Sequence, residues 1–384
     1  MKIVVTGTRG IPGIQGGVET HCEELYPLIA DKQHEIIVVR RPYYAVDHSV
    51  KVYKQVIIKD IRVLRNKHLE AFIHTFLAVL YARKVKANIV HIHAVGPALM
   101  TPLVRLLGMK AVITHHGPDY DRDKWGKFAK WILRMGEKTG MYYANHIIVI
   151  SEHIRRMIQQ KYPDKKNITL IYNGINPVFP ARSTEHLQSL DLTEYGYILA
   201  VGRLVKEKGF DKLIEAFKQL SPVSIKLVIA GDADYQDEYT QKLKEMCKGQ
   251  KNIRLVGFIK GEKLAQLYTY ARIFVLPSTH EGLPIALLEA MSYNCPILAS
   301  DIPANKEIEL PEECYFKSGD LSCLQQALKK QLENAQTERV SYNLSAYNWT
   351  NIAGQTKEIY NSLSFISTKS EDTSFHLLSS KVNL

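Results

Sequence analysis

The chain has 384 residues, of which 46% are hydrophobic and 23% are charged. Because one hydrophobic core rarely organises more than about 250 to 300 residues, this length predicts two domains. The composition is typical of globular proteins, and it excludes disordered, collagen-like and coiled-coil chains.

Neither a membrane span nor a secretion signal is predicted. The longest apolar stretch, residues 71–82, contains His74 and falls short of the roughly 18 to 20 residues that cross a bilayer. The apolar start, residues 3–5, is too short for the core of a signal peptide, so a cytoplasmic location is expected. The five cysteines are scattered without a C-x-x-C pair, which indicates neither a disulfide framework nor a cysteine zinc site.

Positive charge is concentrated in the first half of the chain. Residues 1–180 contain 27 Lys and Arg against 14 Asp and Glu, a net charge of +13, whereas the remaining residues carry −2. This split suggests that one domain meets an anion, which could be nucleic acid, a phospholipid surface or a phosphorylated substrate. A solvated basic surface without any partner is the alternative.

Short β-branched runs alternate with helical stretches from the first residue. The predicted strands are residues 2–6, 35–39, 89–93, 111–115 and 147–150, and then 197–201, 225–230, 253–256, 273–276 and 296–299. These runs are continuously apolar, which is typical of parallel strands buried on both faces with helices between them. The sequence therefore predicts two doubly wound, Rossmann-like α/β domains.

Composition also predicts the domain boundaries. Residues 1–175 form the first domain, and residues 176–196 form a linker, because they are rich in turn formers and show no sustained period. Residues 197–347 form the second domain, and residues 348–364 form a C-terminal helix. Residues 365–384 are rich in Ser and Thr and are predicted to be a disordered tail.

A glycine-rich turn, residues 7–17, follows the first predicted strand and leads into a helix. The N–H groups of such a turn can approach a phosphate closely, and the helix dipole favours its negative charge. A flexible loop without a ligand is the alternative. Nicotinamide binding is disfavoured because the spacing is not G-x-G-x-x-G, and because Arg40 and Arg41 stand where an acidic residue would hold the ribose. An NADP phosphate that meets Arg40 or Arg41 is the alternative.

In the second half, Arg203 and Lys208 lie on the loop after the strand predicted at residues 197–201. A forked guanidinium and a compact ammonium at the carboxyl end of a parallel strand suit a diphosphate. Ordinary surface chemistry is the alternative for these two residues.

The sharpest signal follows the strand predicted at residues 273–276. Glu281 lies in the loop before a helix, Pro284 suits the first helical position, and Glu289 lies about one and a half turns into the helix. The free N–H groups of the helix start therefore lie between two carboxylates. A ligand there could offer hydroxyls to both acids and phosphates to the amides.

These features together resemble the retaining nucleotide-sugar glycosyltransferases of family 4, which have the GT-B fold of two Rossmann-like domains facing a cleft. The elements that carry the resemblance are E-x7-E at Glu281 and Glu289, Gly-Arg-x4-Lys at Arg203 and Lys208, the Gly16-Gly17 turn, and the histidines that end a first-domain strand. The resemblance covers residues 1–362. The opening GTRGIPGIQGGVET is similar to a branch from bacterial polysaccharide clusters whose members are often rhamnosyltransferases.

The resemblance implies a hexosyltransferase that retains the anomeric configuration of a nucleoside-diphosphate sugar and needs neither metal nor cofactor. It implies that Glu289 binds the donor ribose, Glu281 the sugar hydroxyls, and Arg203 with Lys208 the diphosphate. The other residues that it implies for donor binding are Gly282, Leu283, Pro284, Ile285 and Ala286 at the helix start, where Pro284 lacks an N–H, and Gly16 and Gly17 of the first domain.

The resemblance also places His116 near the sugar carbon under attack. The adjacent His115 leaves the register open, and a structural role for both histidines is the alternative. The C-terminal helix is implied to cross back to the first domain, with Trp349 as its anchor.

Two segments contain the D-x-D pattern that supports a divalent cation in the other large glycosyltransferase fold. They are Asp119 to Asp123, which contains the pattern twice, and Asp232 to Asp234. Because Arg203 and Lys208 already supply positive charge, no metal site is expected, and the first segment is better placed to meet an acceptor.

Two other functions stay open at this point. A nucleotide-sugar epimerase of the same fold would need no separate acceptor. A nucleic-acid-binding protein would use the basic half, but its cations are spread through residues 51–65, 83–86 and 124–138 and form no single aromatic-interleaved patch, so no nucleic-acid partner is expected.

The expected partners are a nucleotide sugar, a glycan or lipid-linked acceptor, and an anionic membrane surface. The last expectation depends on residues 69–86, an apolar stretch that ends in Arg83, Lys84 and Lys86. An ordinary core helix is the alternative for this stretch.

Overall fold

Parallel β-sheets organise both halves of the chain. The computed structural model describes residues 1–66, 69–121, 125–221, 224–233, 236–333 and 339–379, with side chains up to residue 364. Unit 1 comprises Met1–Ile14, Val18–Tyr172 and the segment that begins at Trp349. Unit 2 comprises Gln15–Gly17 and Asn173–Asn348.

Within the described residues, the sheet of unit 1 has eight strands in the order β3-β4-β2-β1-β5-β6-β7-β8, and all neighbours pair in parallel except the antiparallel edge pair β3 and β4. They are β1 (Lys2–Thr6), β2 (Glu35–Arg40), β3 (Val52–Tyr53), β4 (Val56–Asp60), β5 (Ile89–His93), β6 (Lys110–His115), β7 (His146–Val149) and β8 (Ile168–Leu170). The helices are α1 (Gly17–Ile29), α2 (Glu70–Lys84), α3 (Thr101–Leu106), α4 (Lys127–Tyr143) and α5 (Glu152–Lys161). Strand β5 is buried at every residue, which requires cover on both faces of the sheet.

The sheet of unit 2 has six parallel strands in the order β11-β10-β9-β12-β13-β14. They are β9 (Tyr197–Val201), β10 (Lys226–Ala230), β11 (Ile253–Gly257), β12 (Ile273–Leu276), β13 (Ile297–Ser300) and β14 (Tyr315–Phe316). The helices are α6 (Glu185–Ser189), α7 (Phe210–Leu220), α8 (Glu238–Cys247), α9 (Gly261–Tyr270), α10 (Ile285–Ser292), α11 (Pro303–Lys306) and α12 (Leu321–Glu333).

The predicted α/β class with two parallel sheets is confirmed, and all ten predicted strands are present to within one residue. Strands β3, β8 and β14 were not predicted because two or three residues are too few to show a period. Strand β4 was not predicted, because its polar end, Lys59 and Asp60, is typical of a basic surface segment. The linker prediction also differs, since the units divide after Tyr172 and helix α6 lies within residues 176–196.

The last helix, α13 (Trp349–Ser379), belongs to unit 1. Trp349, Ile352, Tyr360 and Leu363 are buried in the same apolar cluster as Ile3 of β1. The sequence predicted a disordered tail over residues 365–384, whereas the helix continues to residue 379, and residues 380–384 lie outside the described part. The segment contains neither Gly nor Pro, and extending a helix that packing has nucleated costs little.

We expect unit 1 to depend on this helix, because removing it would expose the apolar cluster. A chain that ends at Ser364 should unfold in urea like the full chain, whereas a chain that ends before Tyr347 should lose stability. The matched point variant Trp349→Ala should lower the free energy of unfolding by about 3–5 kcal/mol, the usual cost of truncating a buried Trp. Glu358→Ala, on the exposed side of the helix, is the control. Equal stability of both truncated chains would contradict the assignment.

Candidate functional site

Two loops at the carboxyl ends of adjacent strands form the centre of the site in unit 2. One follows β9 and carries Arg203 and Lys208, and the other follows β12 and carries Glu281. Strands β9 and β12 pair in parallel, so both loops leave the sheet at the same edge. Gly209 permits their close approach, since it has a φ of +65° and a Cβ there would lie 2.3 Å from the carbonyl oxygen of Pro277.

An ion pair joins the two loops. Lys208 Nζ donates to Glu281 Oε1 at 2.5 Å, and Ser278 Oγ donates to the same oxygen at 2.6 Å. The side chains of Lys208 and Glu281 are 16% and 12% exposed, so the pair is sheltered from solvent and still reachable. The N–H of Thr279 donates to the carbonyl of Glu207 at 2.8 Å, which fixes the loops to each other. A cation and an acid are therefore held together at the sheet edge.

Helix α10 begins directly after these loops. Its N-cap is Pro284, so the prediction that Pro284 takes the first helical position is wrong by one residue, because its ψ of 103° is extended. Pro284 makes no side-chain hydrogen bond to cap the helix, and the first turn begins with Ile285 and Ala286. Gly282 and Leu283 precede the cap, and Asn173 Nδ2 holds the carbonyl of Leu283 at 3.0 Å.

Glu289 lies on helix α10 and is oriented by Tyr268, whose Oη donates to Glu289 Oε2 at 2.9 Å. Tyr268 stacks on Tyr293 with ring centroids 5.4 Å apart. Burial is the largest cause that raises the pKa of Tyr268 well above its ordinary value, and the negative charge of Glu289 is the next. The Tyr268 hydroxyl therefore stays protonated. Tyr268 and Ser278 were not predicted as site residues, since neither belongs to a recognised spacing.

In unit 1, His115 is fully buried at the end of β6. Its Nε2 lies 3.2 Å from Glu137 Oε2, and its Nδ1 accepts from the N–H of Gly117 at 3.2 Å. Tyr120 Oη and Lys161 Nζ also donate to Glu137, at 2.7 and 3.0 Å. Both ring nitrogens of His115 are thus engaged within unit 1, which gives this histidine a structural role.

His116 differs because it remains partly exposed, and its Nε2 lies 2.8 Å from Nδ1 of His93. His93 is fully buried, and its Nε2 lies 2.5 Å from Tyr26 Oη. His91, two residues earlier on the same face of β5, lies 2.5 Å from Tyr360 Oη of helix α13. A hydrogen-bonded line therefore runs from Tyr360 through Tyr26 and the two strand histidines to His116.

Burial, followed by neighbouring histidines, lowers the pKa of His93 and of His116 well below the ordinary value. Both imidazoles are therefore neutral near pH 7, with one N–H and one acceptor nitrogen each. The partners in the line decide which nitrogen of His116 carries the proton.

The remaining predicted residues have separate positions. Gly16, with a φ of +142°, and Gly17 stand where the glycine-rich turn enters α1. Asp119 and Asp121 lie in one short turn, whereas Asp123 and Asp234 lie outside the described residues. Within the described ranges, the group that brings three metal-binding side chains within 4.8 Å of one another is His21, His93 and His116.

Comparisons with known proteins assign most of the chain to two family models. The model described as Glycosyltransferase Family 4 matches residues 15–179, and the model described as Glycosyl transferases group 1 matches residues 182–348. An uncharacterized glycosyltransferase of Methanocaldococcus jannaschii is 28% identical over 80% of this chain and 82% of its own length. The amylovoran biosynthesis glycosyltransferase AmsD of Erwinia amylovora is 22% identical over 90% of this chain and 93% of its own length.

Solved structures show the same fold. Sucrose-phosphate synthase from Thermosynechococcus elongatus superposes with a TM-score of 0.78 at 22% identity, covering 94% of this chain and 98% of that one. HepE from Anabaena, solved with UDP and glucose, has a TM-score of 0.77 at 17% identity, covering 94% and 100% of the two chains. The predicted GT-B fold is confirmed.

The Glu137 cluster should give unit 1 a measurable pH dependence. Burial alone would raise the pKa of Glu137, but hydrogen bonds from His115, Tyr120 and Lys161 outweigh it and lower the pKa to about 2. Because this pKa is lower in the folded state, ionised Glu137 stabilises the fold above about pH 4.3, which is the pKa of Glu in the unfolded chain. This stabilisation is lost as the pH falls towards 2. We expect Glu137→Gln to lower the free energy of unfolding at pH 7 by about 1–3 kcal/mol, and by less at pH 3.

Urea unfolding of both proteins at pH 7 and pH 3 measures the effect. Glu152→Gln is the control, because it removes a carboxylate that pairs with Arg155 and Arg156 at the surface and should cost below about 1 kcal/mol. An equal loss from Glu137→Gln at the two pH values would show that its charge is not what stabilises unit 1.

Proposed function

The chain belongs to the glycosyltransferases of family 4, and from that premise we propose that it moves a sugar from a nucleoside-diphosphate donor to a glycan or lipid-linked acceptor. The observation that carries this proposal is the sheltered Lys208–Glu281 pair beside the uncapped start of helix α10. The role of AmsD in amylovoran biosynthesis supports a place in polysaccharide synthesis. HepE, which has the same fold and was solved with UDP-glucose, supports the class of donor.

The donor diphosphate is proposed to bind at Arg203, Lys208 and the first amides of α10. Without a donor, Glu281 neutralises Lys208 at 2.5 Å. When a diphosphate arrives, Lys208 can turn to its oxygens, because an ammonium on a four-carbon stem reorients easily. Glu281 is then available to the hydroxyls of the sugar, and Ser278 holds the carboxylate in place.

Glu289 is proposed to bind the donor ribose. Tyr268 orients one of its oxygens, and carboxylate oxygens accept hydrogen bonds from hydroxyl groups such as those of a ribose. Glu281 and Glu289 would then recognise the two ends of the donor, with the diphosphate at the helix start between them.

The proposed reaction retains the anomeric configuration. The bond between the anomeric carbon and the leaving phosphate oxygen breaks, and the acceptor oxygen attacks from the same side. The proton of the acceptor hydroxyl passes to the departing phosphate, so no protein nucleophile is needed. Arg203 and Lys208 stabilise the charge that develops on the diphosphate, and the neutral His116 is the proposed contact to the sugar.

Replacing either cation should reduce catalysis without unfolding the protein. We expect Lys208→Ala and Arg203→Ala each to lower turnover by roughly 10²- to 10³-fold, the scale for losing one charge-stabilising donor. Lys206→Ala is the matched control, since its side chain lies on the same loop and is exposed. Wild-type turnover in both variants, with folding checked by circular dichroism, would refute the diphosphate role.

Transfer should persist in excess EDTA, because the cations and the helix start supply the positive charge that a metal would. NMR of the product from the same reaction should show the anomeric configuration of the donor, and nucleotide should be released only when acceptor is present. Loss of activity that Mg²⁺ or Mn²⁺ restores would refute metal independence. An inverted product would refute the proposed stereochemistry, and donor turnover without acceptor would favour an epimerase.

We also propose that unit 1 binds the cytoplasmic face of an anionic membrane. Helix α2 buries Glu70, His74 and Thr75, while Ile73, Phe76 and Leu80 on one side are each more than 40% exposed. The buried face also contains Ala78, Val79 and Ala82, so α2 packs on unit 1 with one face and leaves these three large apolar side chains exposed. Arg83 and Lys84 stand at its end. Such a helix suits the interface of an anionic bilayer.

Helix α4 extends this surface, because α2 and α4 both pack on the turn Pro97–Met100. Phe128 and Trp131 are 73% and 57% exposed and stack on each other, with exposed Lys127, Arg134 and Lys138 on the same helix. Among the described helices, none has both the length and the apolarity that a bilayer crossing requires. The proposal therefore concerns binding at the surface.

Cosedimentation with liposomes measures this binding. The protein should sediment with anionic liposomes at low salt, release at high salt and ignore neutral liposomes, because the attraction is screened within about 8 Å at physiological ionic strength. Phe76→Ser combined with Trp131→Ser should reduce sedimentation about tenfold or more. Phe258→Ser, an exposed aromatic of unit 2, is the control. Absence of binding to anionic liposomes at low salt would refute the proposal.

A further inference from the structure

Three imidazole rings form a nearly equilateral triangle inside unit 1. They belong to His21 on helix α1, His93 at the end of β5 and His116 directly after β6. The ring centroids are 5.5 Å apart for His21 and His93, 5.1 Å for His21 and His116, and 5.2 Å for His93 and His116. One nitrogen of each ring lies within 4.8 Å of the other two.

These separations match those of a tetrahedral site with three histidine ligands. Zn–N bonds are about 2.0–2.1 Å long and a ring centre lies about 1.1 Å beyond its nitrogen, so a tetrahedral angle puts the centroids about 5.2 Å apart. The helix and the two strands therefore already hold the rings at the required spacing.

The contacts around the triangle also suit a cation. Nδ1 of His93 and Nε2 of His116 face each other at 2.8 Å, and a cation would replace the shared proton between them. Nε2 of His93 would then carry the proton and donate to Tyr26 Oη at 2.5 Å. A hydrogen bond on the second nitrogen fixes the orientation of a ligating imidazole. His116 is partly exposed and provides the entry path.

We propose that His21, His93 and His116 bind one divalent cation of the class that prefers imidazole nitrogen, such as Zn²⁺, and that its binding inhibits transfer. Three protein ligands leave the fourth position of a tetrahedral zinc open to water. The inhibition rests on the proposed function, because the cation would take the nitrogen of His116 and hold its ring away from the sugar. Because the proposed cation inhibits transfer, activity in EDTA, which removes the cation, is consistent with the site.

Equilibrium dialysis of the full chain against Zn²⁺, followed by metal analysis, tests the site without any substrate. We expect one zinc per chain, and at least about tenfold weaker binding in His21→Gln and in His93→Gln. His146→Gln is the matched control, because His146 is a half-buried strand histidine that contacts Thr169 and lies outside the triangle. Should the first two variants fail to fold, Co²⁺ added to the wild-type protein should show the visible absorption of four-coordinate cobalt.

Transfer assays then test the inhibition. Zn²⁺ should abolish wild-type transfer, EDTA should restore it, and His21→Gln should keep transfer while losing sensitivity to Zn²⁺. Failure of the folded wild-type protein to bind one Zn²⁺, or binding that neither His21→Gln nor His93→Gln weakens, would overturn the site. Zinc bound at the triangle without any effect on transfer would overturn the inhibition. Zinc binding stays measurable if no transfer is found at all, so failure of the proposed function is a distinguishable result.

Discussion

The direction of the parallel strands is the constraint on which both candidate sites depend. In a parallel sheet the carboxyl ends of all strands lie at one edge, and the loops that leave them are neighbours in space while distant in sequence. In unit 2 this brings Lys208, after β9, to Glu281, 73 residues later along the chain. In unit 1 the same geometry places His93, at the end of β5, beside His116, after β6. The chemistry of each unit is therefore collected at the edge where strands end.

Burial adds a second constraint, because a polar group removed from water must find a partner. Buried His91 and His93 satisfy it through tyrosine hydroxyls and through His116, and these contacts reach Tyr360 of helix α13. The C-terminal helix therefore contributes to the surroundings of His116 as well as to the apolar cluster around Trp349. In unit 2 the same requirement pairs Lys208 with Glu281, which keeps a sheltered cation and acid together at the sheet edge.

The sequence was informative where the signal was local and continuous. Buried strands such as β5 and β12 are unbroken apolar runs, and the spacing of Glu281 and Glu289 lies within one loop and helix. The partners of these residues were not predictable, since Tyr268 precedes Glu289 by 21 residues and Tyr360 follows His91 by 269. The two adjacent histidines could be told apart only from the contacts of Glu137 with His115. Strand β3 and helix α6 were not predicted, because segments of two and five residues are too short to show a period.

Nucleotide binding to the wild-type protein and to Lys208→Ala tests the central claim most directly. The claim is that unit 2 holds a donor diphosphate at the Lys208–Glu281 pair. Calorimetric titration with UDP, GDP, ADP and dTDP should show that at least one of them binds the wild-type protein. Lys208→Ala should weaken the affinity for that nucleotide about tenfold or more, and a factor of ten corresponds to about 1.4 kcal/mol. Binding of none of the four, or equal affinity of the two proteins for the one that binds, would contradict the account.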